Sequence, residues 1–194
     1  MNNTPEISIV IPVFNEEDCL TNLIYRLLAV MQETGRDYEL IFVNDGSTDR
    51  TSELLNAFYE DHPDKVTLIE FNGNYGQYTA ICAGFEQVRG IKVVTLDADL
   101  QNPPEEIPKL LQKMDEGHDY VGGIRCKRKD NLMRRWCSKA INSIREKTTQ
   151  IKITDQGCMM RAYSRSIVDA IAQAQEKSVF ISALAYKYAS NPAE

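Results

Sequence analysis

Two aspartates that directly follow an apolar run are the residues best suited to metal chemistry. The run at residues 93–96 ends at Asp97 and Asp99, and Gln101 follows two residues later. Alternate side chains of an extended backbone share a face, so these three side chains are expected to converge beyond the strand. Hard divalent cations prefer oxygen ligands, usually one or two carboxylates completed by phosphate oxygens and water. The pattern predicts a Mg²⁺ or Mn²⁺ site, and the alternative is that both carboxylates only cap a turn.

The residues after the aspartates favour a short loop that leads directly into a helix. Asn102 is predicted to be the N-cap, Pro103 and Pro104 fit the first turn, and Glu105 is placed to interact with the helix dipole. A stiff strand-to-helix loop would hold the two carboxylates in place. This context favours the metal interpretation.

The composition indicates one globular domain in a reducing compartment. With 194 residues, of which 43% are hydrophobic, the chain can bury one core and is too short for two ordinary domains. Its five cysteines include no C-x-x-C pair, which favours reduced thiols in the cytosol over disulfides or a zinc site. No apolar stretch approaches the length of a membrane-spanning helix, so this chain is predicted to be soluble. The net charge of −6 argues against a nucleic-acid partner bound by bulk positive charge.

Strand-like apolar runs alternate with helical patterns through most of the chain. Strands are predicted at residues 7–13, 40–43, 66–71, 93–97 and 120–124, with a helix after each of the first four. Further helices are predicted at 136–147 and through Ala170, with a strand at 158–163 between them. This order is typical of an α/β fold, a mostly parallel sheet with helices on both faces, in a single domain.

Polar side chains are concentrated where the predicted strands end. They are Asn15, Glu16, Asn44, Asp45, Asn74, Asp97 and Asp99. Ligands of open α/β sheets bind outside the carboxyl ends of the strands, so these residues are expected to share one binding site. Asp45 and Asp49 have a structural alternative, because the sequence DGSTD also suits an Asx-turn and a helix cap. Glu16 opens a helix and has the same alternative.

Several common catalytic and nucleotide-binding motifs are missing from the sequence. No G-x-G-x-x-G follows the first strand, which argues against a Rossmann dinucleotide site, and the absence of G-x-x-x-x-G-K-[ST] rules out a P-loop. No G-x-S-x-G elbow is present, and His62 and His118 lie in polar connections between a helix and a strand. A hydrolase triad therefore has little support.

A basic segment follows the fifth predicted strand. It contains Arg125, Lys127, Arg128, Lys129, Arg134 and Arg135 beside Trp136, in an otherwise acidic chain. Such a run is most often a solvated face. Its position at the carboxyl end of a strand favours a function, because arginine side chains bind phosphate oxygens bidentately. A phosphorylated second substrate or an anionic lipid surface is the predicted partner.

Five segments together resemble family 2 glycosyltransferases of the GT-A fold, in the branch that loads sugars onto polyprenyl phosphates. They are residues 9–17 (IVIPVFNEE), 43–49 (VNDGSTD), 74–77 (NYGQ), 97–105 (DADLQNPPE) and 155–161 (DQGCMMR). They occur in the family's order and spacing and span nearly the whole chain. The resemblance implies a GT-A fold over residues 1–194. This would be the catalytic domain, without the C-terminal amphipathic and transmembrane helices that are usual in the family.

The resemblance also assigns roles at the donor site. Residues matching the family's motifs would hold the nucleobase, ribose and diphosphate of a UDP-sugar donor together with a Mg²⁺ or Mn²⁺ ion. The expected nucleotide-sugar site consists of Pro12, Glu16, Asp45, Asn74 and Asp97. The expected metal ligands are Asp99, Asp97 and Gln101.

The acceptor side is assigned in the same way. Arg125, Arg134 and Ser138 match the family's site for the acceptor phosphate, and Asp155 matches its late acceptor-side aspartate. The implied reaction is an inverting transfer from a UDP-sugar to a polyprenyl phosphate on the cytoplasmic side of the cell membrane, in contact with the membrane surface. Asp155 becomes the candidate base if the acceptor is a hydroxyl group. The expected catalytic residues are Asp97, Asp99 and Asp155.

Three alternatives remain open on the sequence alone. A glycan-directed glycosyltransferase of the same fold is the nearest, and the arginines after the fifth strand argue against it. A nucleotidyltransferase would need a glycine-rich and basic loop where residues 15–18 are NEED. A non-catalytic module that binds nucleotide-sugars would show no donor turnover. Whether the chain forms a homo-oligomer is also open.

Overall fold

The computed structural model describes residues 4–123, 155, 158–174 and 181–194, and these residues build a seven-stranded sheet. The strands are β1 (Ile7–Val13), β2 (Tyr38–Asn44), β3 (Val66–Glu70), β4 (Lys92–Thr95), β5 (Tyr120–Gly122), β6 (Arg161–Ser164) and β7 (Pro192–Ala193). The helices are α1 (Glu17–Thr34), α2 (Thr51–Asp61), α3 (Gln77–Phe85), α4 (Ile107–Asp115), α5 (Arg165–Gln173) and α6 (Ile181–Tyr188), and a 3₁₀ turn (Pro104–Glu106) leads into α4. None of these helices is long and apolar enough to cross a membrane.

The strand order places a ligand crevice beside β1. The sheet runs β3-β2-β1-β4-β6-β5-β7, and β1 is parallel to both of its neighbours, β2 and β4. The chain moves outward from β1 to β3 and then crosses to the other side of β1 to form β4. Such a reversal separates the loops after β1 and β4 and opens a crevice at the carboxyl ends of these strands. The predicted mostly parallel sheet is confirmed, and β6 is antiparallel to both β4 and β5.

Helices cover both faces of the sheet, as the continuous apolar strands predict. Ile9 and Ile11 in β1 belong to the core cluster shared with α1, α2 and α4, whereas Val10 faces the cluster formed with α3, α5 and α6. A Cβ atom at Gly84 in α3 would lie 2.4 Å from Val10 Cγ1, so the helix backbone packs directly on the strand. This close packing fixes the start of α3, at Gln77, relative to the end of β1.

Most sequence-predicted elements are confirmed, with changes at their boundaries. β4 ends at Thr95 rather than at residue 97, and β6 begins at Arg161 rather than at residue 158. The prediction that Asn102 is an N-cap is wrong. Pro103 precedes the 3₁₀ turn, no side chain caps that turn, and the Asn102 amide binds Asp97 instead. The basic segment and the helix predicted at 136–147 lie outside the described residues, and α6 and β7 were not predicted.

Candidate active site

A cleft of about 250 Å³ lies at the carboxyl ends of β1, β2 and β4. Six residues predicted from the sequence line it together: Pro12, Glu16, Asp45, Asn74, Asp97 and Asp99. They come from four separate segments of the chain. The predicted meeting of the strand ends is therefore observed for Glu16, Asp45, Asn74, Asp97 and Asp99. Asn15 and Asn44, predicted in the same group, do not line the cleft, and their side-chain oxygens accept the backbone N–H groups of Thr48 and Ser47 instead.

The two aspartates reach the cleft through a turn rather than an extended backbone. β4 ends at Thr95, and residues 98–99 form a turn that closes when the Gln101 backbone N–H donates to Asp99 Oδ1 at 3.0 Å. Leu100 adopts a φ of 59°, a strained conformation for a residue with a side chain, and packs against the core. The expected alternation of side chains is wrong here, and the turn brings Asp97 and Asp99 to the cleft. The side chain of Gln101 is exposed.

Asp97 is held by two side-chain amides. Gln77 Nε2 donates to Asp97 Oδ1 at 2.6 Å, and Asn102 Nδ2 donates to Oδ2 at 3.2 Å. Gln77 is the first residue of α3 and also lines the cleft. Each carboxylate oxygen therefore has a fixed direction before any ligand enters.

Asp45 joins the turn after β2 to the loop after β3. Its carboxylate is buried and accepts the backbone N–H groups of Tyr75 at 2.7 Å and Gly76 at 2.9 Å. Gly46 has a φ of 71°, and a Cβ atom there would lie 2.4 Å from the carbonyl carbon of Gly73. The two loops thus meet backbone to backbone, which only glycine permits.

Asp49 performs the structural role that the sequence offered as an alternative. Its carboxylate accepts the backbone N–H of Thr51 at 3.0 Å and that of Glu17 at 3.2 Å. Glu17 Oε2 in turn accepts the backbone N–H of Arg50 at 2.9 Å. The first turns of α1 and α2 cap each other, which fixes the position of the neighbouring Glu16 at the cleft.

Negative charge accumulates in the cleft. Burial raises the pKa of Glu16, and repulsion by Asp99, Asp49 and Asp97 raises it further. Within the described part of the chain, no group of three or more His, Cys, Asp or Glu side chains is arranged to hold a metal ion. Two carboxylates nevertheless fit Mg²⁺ or Mn²⁺, because these cations commonly take their remaining ligands from substrate phosphates and water. The donor set therefore suits a cation that binds together with a diphosphate.

The segment that carries Asp155 is anchored by a buried arginine. Arg161 is fully buried, and its guanidinium donates to the carbonyl oxygens of Asp155 at 2.8 Å and Cys158 at 2.7 Å and to the Tyr120 hydroxyl. Asp155 itself is buried. The predicted acceptor residues Arg125, Arg134 and Ser138 lie outside the described residues.

Sequence reasoning assigned no role in the site to four residues that the structure places in or behind it, and for Asn102 it predicted only a helix cap. They are Gln77, Asn102, Cys158 and Arg161. All four stand within the segments that carry the family resemblance. Their presence in those segments was the available signal, but nothing in a linear sequence indicates which side chain each of them contacts.

The family follows from a match that covers most of the chain. Residues 8–172 match the family described as Glycosyl transferase family 2. This chain is a family 2 glycosyltransferase domain. The family expected from the five sequence segments is confirmed.

Curated relatives of this family 2 domain share nearly half of its residues. An undecaprenyl-phosphate 4-deoxy-4-formamido-L-arabinose transferase of Pseudomonas aeruginosa strain UCBPP-PA14 is 49% identical over 188 residues, covering 97% of this chain and 56% of the relative. A protein of the same name from Shewanella sediminis is 47% identical over 192 residues, covering 99% of this chain and 58% of the relative. The chain thus spans a little more than half the length of these relatives.

Solved structures establish the fold of the domain as GT-A. Glucosyl-3-phosphoglycerate synthase of Mycobacterium tuberculosis, in complex with Mn²⁺, UDP and phosphoglyceric acid, matches with a TM-score of 0.62 and 24% identity, covering 84% of this chain and 57% of that one. S. aureus TarS in complex with UDP matches with a TM-score of 0.62 and 17% identity, covering 97% of this chain and 57% of that one. The fold predicted from the sequence is confirmed.

Proposed function

We propose that this domain is the catalytic part of an inverting glycosyltransferase that moves a sugar from a UDP-sugar to a polyprenyl phosphate. The observation that carries the proposal is the acidic cleft at the reversal of strand order, where six motif residues lie together. Relatives with 49% identity are named for transfer of an arabinose derivative involving undecaprenyl phosphate, which supports this acceptor class. We assign the reaction to the cytoplasmic face of the membrane, where the lipid phosphate would be accessible from the membrane surface.

The donor nucleotide is assigned to the β1 and β2 side of the cleft. The Asp45 carboxylate accepts two backbone N–H groups, and a carboxylate has about four lone-pair sites, so it can also accept an N–H of the nucleobase. Pro12 forms part of the wall, and Glu16 and Asn74 are polar groups placed for the ribose. Each of these residues is already fixed by strand β1, a helix start or a loop hydrogen bond.

The diphosphate is assigned to the β4 side of the cleft, with Mg²⁺ or Mn²⁺ as the cation. Asp99 is the proposed principal ligand, supported by Asp97 and by the side-chain oxygen of Gln101. Asp99 Oδ1 accepts the Gln101 backbone N–H, and Oδ2 accepts no hydrogen bond from the described residues. When bound, the cation would neutralise the negative charge that develops on the departing diphosphate.

The acceptor determines whether the protein must supply a base. A phosphate monoester has a second pKa of about 6, so it is largely ionised near neutral pH and can attack without one. One of its oxygens would form the new bond to the anomeric carbon while the bond to UDP breaks and its electron pair leaves with UDP, inverting the configuration. Arg125, Arg134 and Ser138 are proposed to bind the acceptor phosphate. A hydroxyl acceptor would instead require proton removal, and Asp155 is the proposed base for that case.

A transfer assay with the purified chain tests the proposal. Each of a panel of UDP-sugars is offered with one of two acceptors, undecaprenyl phosphate in detergent or hydroxyl-bearing glycans. Every reaction is run with Mn²⁺ and with EDTA, and mass spectrometry detects the product. We expect a sugar-linked lipid phosphate only when the metal is present. The Asp155→Asn variant should retain this product, as should Asp61→Asn, a control at the exposed end of α2. Transfer to hydroxyl acceptors alone, or undiminished turnover in EDTA, would contradict the proposal.

A further inference from the structure

Two side-chain amides donate hydrogen bonds to the Asp97 carboxylate, and only their nitrogen atoms can do so. An ionised carboxylate only accepts hydrogen bonds, so Gln77 and Asn102 must both present their amide nitrogens to it, at 2.6 and 3.2 Å. Hydrogen bonds to a charged acceptor are stronger than neutral ones. The amide oxygens of both residues consequently face away from Asp97.

The Asn102 amide oxygen has a buried partner of its own. Cys158 Sγ lies 3.4 Å from Asn102 Oδ1 as a thiol donor, and both residues are buried. A Cβ atom at Gly123 would lie 3.1 Å from the Cys158 sulfur, so the strand end behind the thiol is tightly packed. The thiol therefore favours the one amide orientation that directs the Asn102 nitrogen at Asp97.

Cys158 is itself fixed within the segment that carries Asp155. Arg161 donates to the Cys158 carbonyl at 2.7 Å, and the Thr95 hydroxyl at the end of β4 donates to the Met159 carbonyl at 2.5 Å. A continuous hydrogen-bonded path consequently runs from Arg161 through Cys158 and Asn102 to Asp97. It connects the acceptor-side segment to the donor-side carboxylate.

We infer that Gln77 and Asn102 are positioning residues for Asp97, and that Cys158 acts through Asn102 to couple the segment carrying Asp155 to this carboxylate. The inference rests on the proposed function, in which Asp97 meets a UDP diphosphate and a divalent cation. A carboxylate held in one orientation loses no rotational freedom when the cation binds. Removal of groups that orient metal ligands typically lowers metal affinity 10–100-fold.

Shape-matched variants separate positioning from packing. Gln77→Met and Asn102→Leu keep the side-chain size and remove the amide donor. Calorimetry measures UDP affinity with Mn²⁺ and with EDTA, and we expect the ratio of the two affinities to fall about 10-fold in each variant. The control variants Gln112→Met in α4 and Asn56→Leu in α2 replace exposed amides that donate to Glu116, next to the end of α4, and to Ser52 in α2. Their ratio should equal that of the wild type. An unchanged ratio in Gln77→Met and Asn102→Leu would overturn the inference.

The thiol is tested by a pair of small substitutions. Cys158→Ala removes the donor and should lower the same affinity ratio about threefold, the effect of one weak hydrogen bond. Cys158→Ser keeps a donor and should restore most of the loss. Equal losses in both variants, with unfolding temperatures near that of the wild type, would overturn the coupling through Cys158.

A crystal structure of Asn102→Leu gives a readout that does not depend on UDP. We expect the Asp97 carboxylate to rotate away from its wild-type direction. If the wild-type chain fails to bind UDP, the proposed function is wrong, and the structure alone then decides the positioning role. An Asp97 side chain that keeps its orientation without the Asn102 amide would overturn that role.

Discussion

Acidic side chains at the two ends of the sheet have opposite surroundings. At the amino end of β4, Glu6 and Asp115 each pair with both Arg36 and Lys92, forming a network of two acids and two bases. Glu39, at the same end of the sheet, is buried and pairs with Arg89. Every one of these negative charges is compensated within the protein.

At the carboxyl end, three acidic residues of the cleft have no such partner within the described part of the chain. Glu16, Asp45 and Asp99 form no ion pair with a Lys or Arg side chain in the described ranges, and backbone N–H groups are the donors to Asp45 and Asp99. The raised pKa of Glu16, caused by burial and then by its acidic neighbours, is the electrostatic consequence. The ion pairs of the amino end suit a role in fold stability, whereas the acidic side chains of the cleft suit the proposed cation, which would arrive together with the diphosphate.

The largest effect is expected from removing a cleft charge. Asp99→Asn should lower turnover about 100-fold and weaken UDP binding in the presence of Mn²⁺, because the proposed cation at the leaving diphosphate would lose its proposed principal ligand. The unfolding temperature of the ligand-free protein should not fall, since repulsion with Glu16 weakens. Transfer assays, UDP calorimetry with Mn²⁺ and thermal unfolding measure turnover, UDP affinity and the unfolding temperature, with Asp61→Asn as the control. Unchanged UDP affinity would contradict the proposed difference between the ion-paired end of the sheet and the acidic cleft.

A smaller and opposite effect is expected at Glu39, the buried acid of the other end. The Glu39 carboxylate accepts from the Ser8 hydroxyl at 2.5 Å and from the backbone and Nε of Arg89 at 2.7 and 2.6 Å. Glu39→Ala should lower the free energy of unfolding by about 2 kcal/mol, because the buried Ser8 hydroxyl and the Arg89 backbone N–H lose their acceptor, while the half-exposed Arg89 guanidinium can be solvated. UDP affinity should be unchanged. Denaturant unfolding provides the measurement.

The control for Glu39 is an exposed ion pair. Glu53 pairs with Arg50 on the surface of α2 at 3.5 Å. Glu53→Ala should change the free energy of unfolding by less than about 0.5 kcal/mol. If Glu39→Ala costs no more than this control, the amino end does not have the stabilising role assigned to it.

Acid should lower the contribution of the ion pairs at the amino end of β4 to protein stability over a defined pH range. Hydrogen bonds from Arg36 and then Lys92 lower the pKa of Asp115 from 3.8 to about 2. Because the pKa of Asp115 is lower in the folded protein than in the unfolded chain, its ionised carboxylate stabilises the fold when the pH is above the ordinary pKa of 3.8. This stabilisation is lost as the pH falls from about 4 to 2. After allowance for solvent screening, Asp115→Asn should lower the free energy of unfolding by about 1 kcal/mol at pH 7. The variant should also lose less of its stability than the wild type as the pH falls. Parallel urea-unfolding profiles of the two proteins between pH 7 and 3 would contradict this prediction.

The smallest effect is expected at Glu16. Its pKa is raised in the folded protein, so the ionised side chain destabilises the fold at neutral pH and the wild type gains stability as the pH falls toward that pKa. Glu16→Gln should therefore stabilise the ligand-free protein at pH 7 by less than about 1 kcal/mol. The gain should shrink when Mn²⁺ and UDP are bound. Thermal unfolding of Glu16→Gln and the wild type, with and without the two ligands, checks both statements. An unfolding temperature of ligand-free Glu16→Gln below that of the ligand-free wild type would refute the predicted stabilisation.

Local sequence patterns predicted the parallel part of the fold because each strand there is apolar and ends at turn-forming residues. All seven residues of β1 are buried, and the run ISIVIPV indicates this directly. The antiparallel strand β6 was placed only approximately, since its partners β4 and β5 are distant along the chain. Arg161 looks like a surface residue in the sequence, and its burial depends on the Tyr120 hydroxyl and on carbonyl groups that only the folded chain brings together.

The sequence predicted which residues line the cleft better than it predicted how their side chains are arranged there. Pro12, Asp45 and Asp99 were found because strand ends and family motifs coincide at these positions. The prediction that alternate residues of a strand share a face failed at Asp97 and Asp99, because β4 ends early and a positive φ at Leu100 shapes the turn. The contacts of Asn102 depend on partners that local patterns do not specify.

The contact between Gly46 and Gly73 has a consequence for redesign. These two glycines stand beside the cleft residues Asp45 and Asn74, and main chain meets main chain there, so mutagenesis has no side chain at the contact to exchange for a larger or smaller one. Asn74 differs, because it follows Gly73 directly and lines the cleft with an exposed side chain. Engineering that aims at an altered nucleotide or sugar preference should therefore begin at Asn74 and keep both glycines.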